Sequence, residues 1–149
     1  MKRVAALILL ATFYAATTAQ AATLTVRVTN VRDDRGSVHV DVCPQKQFLK
    51  DDCPYAASAP ARTGTTLVTV HGVPAGDYAV QAFQDENGNH KVDRALFGIP
   101  KEGIGFSNDA PIRLGPPKWR DARFALNGEE QEITLKMRYM LGASGPETH

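Results

Sequence analysis

Between Asp85 and Asp93 the chain sets oxygen-bearing side chains at alternate positions, in the run Asp85-Glu86-Asn87-Gly88-Asn89-His90-Lys91-Val92-Asp93. A short loop of this kind can curl carboxylate and carbonyl oxygens around a hard cation. Calcium takes side-chain ligands from loop positions 1, 3, 5 and 9 and a backbone carbonyl from position 7, offsets that fall on Asp85, Asn87, Asn89, Asp93 and Lys91. The match to an EF-hand is partial. Such a loop wants Gly at position 6 and a bidentate Glu at position 12, where this chain has His90 and Leu96. The competing reading is a turn that stabilises itself, because Asn and Asp side chains cap nearby backbone amides and tolerate left-handed backbone. Another divalent ion is a third. With two carboxylates in the run, a calcium site is expected to be weak, toward the ~10⁻⁴–10⁻³ M range of extracellular modules.

No other constellation for chemistry stands out. Ser37, Ser58, Ser107 and Ser144 lie outside any nucleophile-elbow pattern, and His39, His71, His90 and His149 never take the close spacing of common zinc motifs. His39 and His71 read as ordinary surface histidines. Glu86 and Glu102 would be the acid–base pair of a hydrolase, with nothing in the sequence to fix their separation. Trp119, following Gly115-Pro116-Pro117-Lys118, reads as a packing residue ahead of a platform for a sugar or peptide. Phe97 and Phe106 are expected to anchor the loop that carries them.

The elements that must position these residues have the two-residue period of strands. Leu24, Val26 and Val28 alternate with polar residues, as do Val38, Val40 and Val42, with Asp33-Asp34-Arg35-Gly36 as the turn between. Further strands are expected at Thr66–Val70 and Gly76–Gln84, joined by Val73–Asp77, and at Arg120–Leu126 and Ile133–Tyr139, with Asn127-Gly128 beginning a hairpin. A single turn is expected near Phe48-Leu49-Lys50. The fold class is therefore all-β, an antiparallel, immunoglobulin-like β-sandwich of about seven strands; Pro74-Ala75-Gly76-Asp77-Tyr78 also resembles the strand entry of transthyretin-like sandwiches, an analogy of fold. From Gln84 to about Arg120 the strand pattern lapses, apart from a short candidate strand at Pro111–Leu114. Leu96, Phe97, Ile99, Ile104, Phe106 and Trp119 are too much apolar surface to leave solvated, so this long loop is expected to be ordered and folded over one end of the sandwich.

Lys2 and Arg3, the apolar run from Val4 to about Ala16, and Ala19-Gln20-Ala21 have the layout of a secretory signal peptide cleaved after Ala21 or Ala22. The expected organisation is a leader over residues 1–21, a β-sandwich domain over 23–140 and a flexible tail over 141–149. Export to the periplasm or beyond follows, with no membrane span after the leader is removed. Cys43 and Cys53 then read as a disulfide that stabilises the fold by about 2–3 kcal/mol in the chain-entropy model. The whole chain balances 17 basic against 16 acidic residues. Near-neutral charge without a basic block argues against nucleic acid as a partner.

Val73-Pro74-Ala75-Gly76-Asp77-Tyr78-Ala79-Val80, Phe83-Gln84-Asp85-Glu86-Asn87-Gly88-Asn89, Phe97-Gly98-Ile99-Pro100-Lys101-Glu102-Gly103 and Gly105-Phe106-Ser107-Asn108 resemble the bacterial secreted family known as domain of unknown function 2141. The resemblance covers about Leu24 to Tyr139 and implies a small exported β-sandwich domain; it implies no mechanism. The usual wording of that family has Gly where this chain has His90. Glu102, inside the third motif, is a candidate to complete a calcium shell, ahead of Asp109. The resulting expectation is a monomeric exported binding or structural module, its partner an unidentified protein or cell-envelope ligand, with calcium as its candidate ion. The alternative is a cell-envelope enzyme of hydrolase type with its site in the Gln84–Asp109 loop.

Overall fold

The computed structural model describes residues 18 and 20–146. The expected leader lies outside them except for Thr18, Gln20 and Ala21, as do the last three residues of the tail. Among the described residues, eight strands run in the order β1 (Ala21–Val31), β2 (Ser37–Cys43), β3 (Tyr55–Pro60), β4 (Gly64–Pro74), β5 (Gly76–Asp85), β6 (Ile104–Phe106), β7 (Phe124–Leu126) and β8 (Glu130–Lys136), with one α-helical turn, α1 (Trp119–Ala122), before β7 and short 3-10 turns at Gln45–Gln47, Leu96–Gly98 and Ser107–Asp109. One sheet has the order β4-β1-β8, the other β3-β2-β5-β6, with β7 paired to the beginning of β5.

The alternation read from the sequence is the alternation buried. Leu24, Val26 and Val28 of β1 and Val38, Val40 and Val42 of β2 face inward and meet Val68, Val70, Val80, Leu126 and Leu135 in the core between the sheets. Leu135 and Met137 are fully buried and Ile133 and Tyr139 pack against the same core, although the strand runs Glu130–Lys136 and not over the expected Ile133–Tyr139. A second, smaller cluster covers the other side of β5, where Ala79, Phe48, Phe106, Ala110 and Ala122 pack with the Cys43–Cys53 disulfide, whose Cα atoms are 4.9 Å apart. β5 is therefore enclosed on both sides along Tyr78-Ala79-Val80, and its alternation lapses there.

Four expectations give way. β8 pairs with β1 in parallel, from Thr23 opposite Glu130 to Thr29 opposite Lys136. Asn127-Gly128 accordingly joins the two sheets and closes no hairpin, and a parallel neighbour becomes accessible because the chain arrives from the other sheet. Turns Asp33–Gly36 and Val73–Asp77 likewise cross between sheets. Arg120–Leu126 is strand only from Phe124, since Asp121 and Ala122 turn back to the Lys118 carbonyl. Pro111–Leu114 forms no strand. Conversely, β3 was hidden because Tyr-Ala-Ala-Ser-Ala-Pro lacks the β-branched residues that mark strands; it lies at the edge of its sheet, where Pro60 is tolerated.

Candidate functional site

The Asp85–Asp93 loop begins where β5 ends. Asp85, 1 % exposed, points back beneath the turn: its Oδ1 accepts the Asn89 N–H at 3.1 Å and its Oδ2 the His90 N–H at 2.9 Å. Asn87 Oδ1 accepts from Asn89 N–H at 3.2 Å, and Asn89 Oδ1 from Lys91 N–H at 2.9 Å. The amides of Asn87 and Asn89 both donate to Asp93, at 2.6 and 2.9 Å. This is the self-capping chemistry expected of short polar side chains in turns. His90 holds φ 60, the left-handed region where both an EF-hand and the family's wording place Gly.

Glu102 does come to the loop. Only 4 % exposed, it accepts the Glu86 N–H with one oxygen and the Asp93 N–H with the other, both at 3.1 Å, while Lys101 N–H bonds the Asp93 carbonyl at 2.8 Å. Burial pushes its carboxyl above the ordinary glutamate range; the two N–H donors oppose this, and the charges of Asp93 and Asp85 add to it. Asp109 is elsewhere, accepting the Lys136 N–H at 2.7 Å. Leu96, at position 12 of the EF-hand count, is exposed. Among the described residues, no three His, Cys, Asp or Glu side chains form a group able to hold a metal ion as they stand.

The loop is tied to the sandwich by a network the sequence did not disclose. Glu86 is held by Arg32 (Nε at 2.7 Å) and by Arg35 at 2.8 Å. Gln84, fully buried, donates to Asp33 and accepts the Tyr139 hydroxyl at 2.6 Å; burial pushes that phenol up to about 12. Glu86 thus pairs with guanidinium groups and Glu102 with backbone amides. Gly36, at φ +67, packs so closely on the Asp85 carbonyl that a Cβ would overlap it.

A groove of about 1000 Å³ opens beside the loop on the outer face of the β2–β5 sheet, with His39, Asp41, Gln81 and Phe83 in its lining. His39 is no isolated surface histidine. Its Nδ1 lies 2.7 Å from Ser58 Oγ and its Nε2 2.9 Å from Asp41 Oδ1; Gln81 Nε2 donates to Asp41 Oδ2 at 3.1 Å. The signal available in the sequence was His39 and Asp41 two apart on one strand face; Ser58 needed β3 and its register, which puts it opposite His39. Phe106 is buried and Trp119 half-buried, each edge-on to Phe48. Phe97 is the correction: 98 % exposed, it anchors nothing. It borders the groove instead.

Residues 26–134 match a family model described as an uncharacterized protein conserved in bacteria, DUF2141. The chain belongs to the DUF2141 family. The match begins inside β1 and ends inside β8, so it spans most of the two-sheet domain, the Asp85–Asp93 loop, and the groove lining apart from Met140 and Leu141. Among curated proteins and among solved structures, nothing matches this chain. No helix among the described residues is long and apolar enough to cross a membrane.

Proposed function

We propose that this DUF2141 domain is an exported binding or structural module whose Asp85–Asp93 loop is stabilised by a weakly held calcium ion. What supports the reading is that the buried Glu102 carboxylate reaches the loop, bonding the Asp93 and Glu86 amides, where repulsion from Asp93 and Asp85 adds to the cost of its charge. A divalent cation would relieve that repulsion. Each carboxylate oxygen that accepts one N–H retains a second lone pair. Asp85, Asn87, Asn89 and Asp93 would supply side-chain oxygens, Lys91 its carbonyl, and Glu102 the carboxylate that Leu96 cannot. Export fits the disulfide, which oxidising compartments favour.

Thermal unfolding of the mature domain in EDTA and in millimolar calcium tests this. A tenfold excess of ligand over Kd contributes about 1.4 kcal/mol, a shift of several degrees. The expected result is such a shift in wild type and its loss in Asp93→Ala. No shift up to ~10 mM calcium, beyond the weakest range of such loops, would leave a self-capped turn.

A second reading, an envelope hydrolase, is favoured by the Ser58–His39–Asp41 chain, whose order is that of nucleophile, base and orienting acid. It moves the candidate site out of the Gln84–Asp109 loop. Covalent labelling of Ser58 by a fluorophosphonate, abolished in His39→Ala, would support it; an unlabelled Ser58 would reduce the chain to a cross-strand hydrogen-bond ladder.

A further inference from the structure

Among the described residues, the large exposed apolar side chains are unevenly placed. Of the eight, Phe97, Leu114, Leu49, Ile99, Met140 and Leu141 border one groove, the first two almost wholly in water, while Leu67 and Leu96 lie outside it. Scattered exposed hydrophobes are ordinary, whereas a cluster round a concavity marks a binding surface. Three of the six described non-glycine residues at positive φ lie there; the other three are Asn30, Asn108 and Asp109, residue types that tolerate it. Leu49 at φ 66, His90 at φ 60 and Phe97 at φ 62 all line the groove. Left-handed backbone is strained for a non-glycine residue, and such residues collect at ligand clamps. An exposed Phe in that conformation gains no burial in return.

Charge gives the ligand its second feature. Lys91, Arg94 and Arg113 border the same groove, and none is in an ion pair within the described residues. Arg94 uses one nitrogen on the Gly98 carbonyl at 2.9 Å. Of the two acids in the lining, Asp41 is engaged by His39 and Gln81, leaving Asp51. A volume of about 1000 Å³ lies at the upper end of the ~300–1,000 Å³ usual for small-molecule sites.

We propose that the groove binds a single amphiphile, an acyl chain carrying an anionic head, with Phe97 and Leu114 against the chain and Arg94 and Arg113 at the head. A concave site with a polar floor suits one molecule better than the flat face of a bilayer. The inference deepens the binding-module reading and is independent of calcium.

The test is titration of the mature domain with 11-(dansylamino)undecanoic acid, whose emission rises on leaving water, in EDTA and again in calcium. Saturable binding of one equivalent in EDTA is expected, weakened at least tenfold in Phe97→Ser/Leu114→Ser, which removes the apolar contacts without adding charge. Both side chains are exposed, so the unfolding midpoint should be unchanged and a folding defect is distinguished from a lost contact. Arg94→Ser/Arg113→Ser should weaken displacement by dodecanoate at least fivefold while leaving displacement by dodecanol as it was. No saturable binding, an unchanged Kd in the Phe97/Leu114 variant, or binding to phosphatidylglycerol vesicles without binding of the monomeric probe would each overturn the proposal. Saturable probe binding beside a thermal midpoint that calcium leaves unchanged would remove the calcium reading alone.

Discussion

Glu102 accepts the backbone N–H of Asp93 across nine residues of chain, and with its other oxygen that of Glu86, so one buried carboxylate closes both ends of the polar loop. Hydrogen bonds to a charged group contribute about 1.5–3 kcal/mol each. Glu102 also holds its proton more tightly when folded than when unfolded, because burial raises its pKa. Its titration contribution is therefore full below the ordinary value of 4.5 and is lost as pH rises through the raised folded pKa. In EDTA, the stability of wild type relative to Glu102→Gln should fall as pH rises above 4.5, the direction that linkage requires. Urea unfolding across that range checks it; parallel pH profiles would show that Glu102 is not the source.

Gly36→Ala should be the most damaging small substitution near the loop. The added methyl meets the Asp85 carbonyl and the φ of +67 disfavours any side chain. A loss of more than about 3 kcal/mol is expected from overpacking and backbone strain together. Gly88→Ala shares the positive φ but has open space around it, so it should lose only about 1 kcal/mol. Comparable urea midpoints for the two variants would remove the contact with Asp85 from the account.

His90→Gly should raise stability by roughly 1 kcal/mol, since φ 60 is strained for histidine and free for glycine, and the backbone N–H to Asp85 is kept. The gain is partly offset by the greater freedom of glycine in the unfolded chain. Differential scanning calorimetry decides it, and a lower midpoint would mean that the imidazole makes a contribution larger than the strain.

Phe106→Ala should cost about 3 kcal/mol, because the ring is buried edge-on against Phe48 in the second cluster. Phe97→Ala should stay within about 0.5 kcal/mol of wild type. Both sit in the same long segment, so equal losses in chemical unfolding would contradict the assignment of one to packing and the other to the groove.

That pair also shows where sequence reading stops. Alternation along β1 and β2 survives because each strand buries one face, and a period of two is then forced on the residues. Asp85 was legible as a candidate from its type and spacing, Glu102 from the family motif that holds it, and Glu102 does reach the loop. Phe97 and Phe106 are chemically alike, and only the tertiary path of the loop decides which is covered. The parallel β1–β8 pair and the Ser58–His39 contact were beyond reach for a related reason: each joins residues far apart in the chain through a crossover or an edge strand whose composition gives no signal. Gln84 and Glu86 continue the β5 pattern in sequence while serving as ties to Asp33, Tyr139 and Arg32.

The most direct measurement is a calcium titration of the ¹⁵N-labelled mature domain followed by amide chemical shifts. The account predicts saturable shifts centred on Glu86, Asn89, His90 and Asp93, whose N–H groups bond the side chains that would turn to the ion. Half-saturation should fall near the ~10⁻⁴–10⁻³ M of extracellular calcium modules. Unmoved amides in this loop at ~10 mM calcium, or shifts spread evenly over surface carboxylates, would contradict it.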